Sequence, residues 1–122
     1  MLYPQAPNAV VMVRPHFFSP NPQTAQDNTF QQTIVESLQE DVNKQAYEEV
    51  TQVVDELKKL GVKVFLFEDA TRETPDSVFP NNWFSTHKGG HVAIYPMKAE
   101  NRRLERRQDI LDMLKKDYRV QD

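Results

Sequence analysis

The sequence predicts an α/β chain assembled from strand-strand-helix-strand modules of roughly 50–60 residues. Three observations predict it. Two β-branched runs, at 9–13 and 62–67, enclose a helical period; a Gly-Gly turn separates two short strand-like runs between 83 and 95; and a charged helical period leads into a last strand signal at 118–120. At 122 residues the chain fits one core, and with 39% hydrophobic residues that core is thin.

The elements follow in order. Ala9-Val10-Val11-Met12-Val13 is a five-residue apolar run bracketed by prolines, which reads as a buried strand. Residues 14–39 are polar, rich in Asn, Gln and Pro and without a sustained period, and read as a loop; a loop of that length in a compact domain is usually functional or disordered. Over 41–60, Val42, Ala46, Val50, Val53, Val54, Leu57 and Leu60 recur at steps of three and four, so a helix is expected with that stripe facing the core. Its acidic start, its closing lysines and Gly61 suit a helix dipole and a C-terminal stop. The strand at 62–67 then packs beside the first one, with the helix as crossover. Residues 83–87 and 91–95 form a hairpin around Lys88-Gly89-Gly90. A single charged helix is expected over 101–116 with Leu104, Ile110, Leu111, Met113 and Leu114 as its apolar positions. The strand that opens at 118 has no length with which to pair, so the chain reads as the N-terminal part of a longer protein.

Charge and composition remove several classes of function. Fifteen Lys+Arg against 18 Asp+Glu give a net charge of −3, which predicts neither nucleic acid nor membrane as a partner. No cysteine is present, so disulfides, thiolate metal sites and a cysteine nucleophile are excluded within these residues. No window approaches the roughly 18 apolar residues of a membrane span, and the first fifteen residues lack the features of a signal peptide, so a cytoplasmic location is expected. His16, His87 and His91 fall short of the three or four convergent ligands that a metal needs, and the phosphate-cradle, serine-elbow and zinc-protease motifs are missing, so no cofactor is expected. Arg102, Arg103, Arg106 and Arg107 form the strongest basic cluster, which reads as a solvated helix face.

The most unusual stretch is PDSVFPNNWFSTH at 75–87, which gathers a carboxylate, two amides, the sole tryptophan and a histidine between two strand signals. A rigid scaffold can present such loop groups to a ligand. Pro-Asp and Asn-Asn are equally ordinary turn chemistry, and on that reading Trp83 fills the core.

Together with YPMKAENRRLERR after it, and MVRPHFF and NPQTAQDNTFQ before it, this stretch resembles the guanidino-group-modifying (amidinotransferase) superfamily. The likeness covers nearly the whole chain and is closest to the citrulline hydrolase branch, with the dimethylarginine dimethylaminohydrolases and arginine deiminases as more distant relatives. The resemblance implies a five-bladed α/β propeller of ββαβ modules, of which residues 1–122 are about the first two. It implies that Asp76 contacts substrate, that Asn82 stands where the hydrolases carry a second Asp gripping the guanidinium, and that Arg102 binds the substrate carboxylate. Arg103 is a substitute for Arg102, because the spacing from Pro96 is one residue longer than in the dimethylarginine relatives. The family's catalytic Cys, His and carboxylate have no match here, so no catalytic residue is assigned. An Asp with an Asn supplies both an acceptor and a donor, which suits a neutral ureido group, whereas two carboxylates suit a guanidinium. The expected function is the substrate-pocket part of a hydrolase acting at the ureido or guanidino carbon of citrulline or an arginine derivative, inactive alone. A different class is a non-catalytic module of the same fold that binds an amino acid or pairs through strand edges. The expected partners are a small-molecule substrate and further copies of the chain, joined through exposed strand edges.

Overall fold

Two β-branched strands of similar length, joined by a helix, can pair in parallel only if the helix carries the chain back to its starting end. The computed structural model describes residues 8–19 and 36–121, and it shows this arrangement in the first half of the chain. Strands β1 (Ala9–Pro15) and β2 (Lys63–Asp69) run parallel, from Ala9 opposite Lys63 to Pro15 opposite Asp69. Helix α1 (Glu36–Lys59) crosses over and packs on both. It starts earlier than the apolar stripe announces: residues 36–40 belong to the helix, because Glu, Leu and Gln are good helix formers even where they carry no periodic signal. The rest of the expected loop, at 20–35, lies outside the described residues.

The buried seam of α1 is narrower than its stripe. Val50 and Val54, one turn apart, are buried, whereas Val53 and Leu60 are 48% and 77% exposed. A helix lying on a two-stranded sheet has little surface to cover it, so a single i, i+4 row meets the core. The helix ends as its sequence demands. Gly61 takes φ 83°, its N–H donates to the Lys58 carbonyl, and the Val62 N–H donates to the Leu57 carbonyl, the paired bonds of a Schellman stop.

The second half is a ββαβ unit. Strands β3 (Phe84–His87) and β4 (His91–Ile94) pair antiparallel around Gly89 and Gly90, both at positive φ, with His87 opposite His91. The expected helix over 101–116 is two helices, a four-residue α2 (Glu100–Arg103) and α3 (Gln108–Asp117). The break falls at Glu105, whose side chain turns inward to meet Arg102, and the Arg107 N–H bonds the Glu105 carbonyl across it. Strand β5 (Arg119–Gln121) does find a partner: it lies parallel to β4, with Val120 opposite Val92. This corrects the expectation of an unpaired final strand, and three residues suffice because α3 delivers them beside β4.

One core holds both halves. Val13 of β1 packs with Trp83, Phe84, Val92, Ile94, Ile110 and Leu114, and all seven are at least nine-tenths buried. The two sheets, β1-β2 and β3-β4-β5, do not close into a ring among the described residues, and one side of β1 and one side of β3 have no strand partner there. No helix among the described residues is long and apolar enough to cross a membrane.

Candidate functional site

The unusual stretch lies on the connection between β2 and β3, and Asp69, the last residue of β2, organises that connection. One Asp69 carboxylate oxygen accepts from the Thr71 N–H at 3.0 Å and the Thr71 hydroxyl at 2.9 Å; the other accepts from the hydroxyls of Thr74 at 2.6 Å and Ser77 at 2.5 Å. Asp69, Thr74 and Ser77 are buried. The chain then winds through successive turns, with the N–H groups of Ser77, Phe79, Asn82 and Trp83 donating to the carbonyls of Thr74, Asp76, Phe79 and Pro80. Pro80 begins the one-turn 3-10 helix Pro80–Asn82, where a missing N–H costs nothing. Trp83, 1% exposed, fills the core as the turn reading expects and anchors the end of the connection.

Arg102 reaches this connection from α2. Its Nε and Nη2 donate to the two carboxylate oxygens of Glu105 at 2.9 and 3.0 Å, and its Nη1 donates to Asn82 Oδ1 at 3.0 Å. Nη2 also lies 3.4 Å from the carbonyls of both Asp76 and Phe79, and Nε lies 3.9 Å from Asp76 Oδ2. The structure therefore brings Asp76, Asn82 and Arg102 together. A guanidinium can only donate, so the Asn82 atom facing it is the oxygen, and the amide NH2 of this exposed residue is its outward end. Four of the five guanidinium N–H bonds meet partners inside the protein; the fifth, on Nη1, has none among the described residues. Arg103 is elsewhere: its Nε and Nη2 fold back on the Met97 and Lys98 carbonyls.

The electrostatics separate the carboxylates. Burial pushes the Asp69 carboxyl up, but the bonds from Ser77, Thr74 and Thr71 outweigh that and hold it below its usual range. Burial also pushes Glu105 up, and here it wins: Arg102 opposes it through hydrogen bonds and charge, while the neighbouring charges of Asp76 and Asp69 add to it. On the far face of β1 and β2, Arg14 and His16 share Glu68, whose carboxyl is lowered chiefly by the Arg14 hydrogen bond.

The model of the eukaryotic N,N dimethylarginine dimethylhydrolase family matches residues 14–122. The chain belongs to that family. No curated protein and no solved structure matches it. The match to the dimethylhydrolase model spans both halves of the fold, from the end of β1 through the 69–83 connection to β5, and so includes Asp76, Asn82 and Arg102.

Among the described residues of this dimethylhydrolase-family chain, two of the grooves lie apart from that cluster. One, of about 520 Å³, runs between β1 and β3 and includes Val10, Phe84, Ser85 and Tyr118; the other, of about 550 Å³, lies beside α1 with His16, Tyr47 and Arg72. Pro80 and Asn81, on the same turn as Asn82, line the first groove, so that turn separates groove and cluster. His87 and His91 meet across the hairpin, not along a helix, and His87 Nε2 lies 2.7 Å from Ser85 Oγ.

Asp69 and Glu105 escaped the sequence reading. Both had a signal: Asp69 precedes hydroxyl residues at +2, +5 and +8, and Glu105 stands three residues after Arg102, the spacing of a helical ion pair. Asp69→Asn is expected to lower stability by about 2 kcal/mol at neutral pH, since a neutral amide replaces an acceptor of charge-assisted bonds. Because the folded-state pKa of Asp69 is lowered, its contribution is complete above the unfolded carboxyl value of about 3.9 and is lost as pH falls through the folded value. Urea unfolding of both proteins from pH 7 to pH 3 checks this; the gap closes on the acid side.

Proposed function

We propose that this chain forms part of the substrate pocket of a cytoplasmic hydrolase that cleaves a C–N bond at the guanidino or ureido carbon of an arginine derivative. Membership of a family named for dimethylarginine hydrolysis supports the substrate class, and the meeting of Asp76, Asn82 and Arg102 supports the place. In such a reaction a thiolate attacks the guanidino carbon, the amine leaves with a proton, and water hydrolyses the covalent intermediate. These 122 residues contain no cysteine, so the thiolate belongs to residues outside them and this segment binds and orients. Asp76 accepts from the N–H groups of the ligand, and the remaining Nη1–H of Arg102 is directed to its α-carboxylate. On this reading the two halves seen here are blades of an α/β propeller whose other blades complete the pocket walls.

One observation favours citrulline over a methylated arginine. Arg102 holds the oxygen of Asn82, so the outward amide end donates, and a donor meets the ureido oxygen of citrulline but opposes the N–H groups of a guanidinium. Asn82→Asp replaces that donor by a charge. The loss of a hydrogen bond of about 1–3 kcal/mol corresponds to roughly a 5- to 150-fold fall in affinity for citrulline relative to arginine and dimethylarginine. Calorimetric titration of both proteins with the three ligands tests it, and an unchanged ratio removes Asn82 as the ureido contact.

A further inference from the structure

We propose that Glu105 is a positioning residue: by gripping one edge of the Arg102 guanidinium it decides which end of the Asn82 amide faces the ligand. The proposal takes its functional meaning from the pocket reading above, but its structural content stands apart from any ligand. A guanidinium is a rigid planar fork, so fixing Nε and Nη2 fixes the direction of Nη1. Both of the fixed atoms are held by Glu105, at 2.9 and 3.0 Å, and the carboxylate itself is 1% exposed and cannot swing away into water. Nη1 is thereby aimed at Asn82, and the bond at 3.0 Å permits only the amide oxygen on that side. Without the carboxylate the fork can turn about its long axis, and Asn82 is left to present either its oxygen or its NH2.

Two consequences follow for ligand choice. A polarised Asn82 is a donor and selects an acceptor such as a ureido oxygen, whereas an unpolarised one serves a guanidinium equally well. Selectivity between neutral and cationic arginine derivatives is therefore set in part by a residue that touches neither. The arrangement is sensitive to protonation of Glu105, which burial favours first of all, which the Arg102 hydrogen bonds and charge oppose, and to which the Asp76 and Asp69 carboxylates on the facing connection add. The distance between Asp76 and Arg102, 3.9 Å against 2.9 Å for Glu105, marks Glu105 as the partner that holds the fork.

The test is ¹⁵N NMR of the whole chain without ligand, reading the Arg102 Nε–H and the Asn82 side-chain NH2. In the native chain both signals shift with one common midpoint as Glu105 is protonated, and the Arg102 Nε–H is protected from exchange. In Glu105→Gln the common titration vanishes and that proton exchanges about tenfold faster, the equivalent of losing one hydrogen bond to a charged group. Glu105→Asp keeps the charge and restores the shared titration with weaker protection. Backbone signals of Val92 and Ile110 report that the core is intact. If Glu105→Gln fails to fold, Asn82→Ala serves instead: it leaves the Arg102 Nε–H protected and titrating, since Glu105 and not Asn82 holds the fork. Persistence of the shared titration in Glu105→Gln, or collapse of Arg102 protection in Asn82→Ala, overturns the proposal. Failure of the chain to bind citrulline or dimethylarginine bears on the pocket reading alone.

Discussion

Arg102→Ala is expected to destabilise the chain by about 3–5 kcal/mol, the cost of leaving one member of a buried ion pair without its partner. Glu105 is 1% exposed at its side chain and Arg102 only 14%, so water cannot replace the guanidinium. The same change removes the bonds to Asn82 and to the carbonyls of Asp76 and Phe79, so the connection between β2 and β3 loses its clasp as well. Typical domains are stable by about 5–15 kcal/mol, so a chain with this thin a core is brought close to unfolding. The double substitution Arg102→Met with Glu105→Gln should recover most of the loss, because position 105 then no longer leaves an unpaired charge buried. Urea titrations of the single and double variants decide it: a loss below about 1 kcal/mol in Arg102→Ala would place the pair in water, whose surface ion pairs are worth that little.

The second large effect is an absence. Incubation of the purified chain with citrulline, arginine or methylated arginines is expected to release no ammonia or methylated amine above a protein-free blank. Enzymes accelerate such reactions by about a million-fold or more, and here the attacking thiolate is missing from all 122 positions. Turnover proportional to protein would contradict this and would require another nucleophile. Ser85 Oγ is the place to look, since it lies 2.7 Å from His87 Nε2 and 2.6 Å from the Tyr95 hydroxyl.

Much of the architecture was legible because local and global signals agree. The β-branched runs flanking α1, the stop at Gly61 and the Gly89-Gly90 turn each demand one backbone conformation, and the structure adopts it at each place. The break between α2 and α3 was not legible. Residues 104–107 contain neither Gly nor Pro, and the break coincides with the burial of Glu105 against Arg102, which the apolar period does not register. The exposure of Val53 and Leu60 has a similar origin: periodicity marks one face of a helix but not how wide a sheet awaits it. In the site, residue types and spacing singled out the 75–87 connection, and the resemblance pointed to Asp76, Asn82 and Arg102. The supporting carboxylates were hidden because an Asp among threonines and a Glu among arginines look like ordinary surface until the fold buries them.

The most direct test of the account is to map where an arginine derivative binds, by titrating the ¹⁵N-labelled chain with citrulline and with asymmetric dimethylarginine up to tens of millimolar. A partial pocket should bind weakly, with Kd near 1 mM, or about 4 kcal/mol of binding free energy. The account predicts saturable shifts at Asp76, Asn82 and Arg102, larger for citrulline at the Asn82 NH2, while Val10, Ser85 and Tyr118 in the apolar groove stay still. Saturable shifts confined to that groove, or no saturable shift anywhere with the chain demonstrably folded, would contradict it.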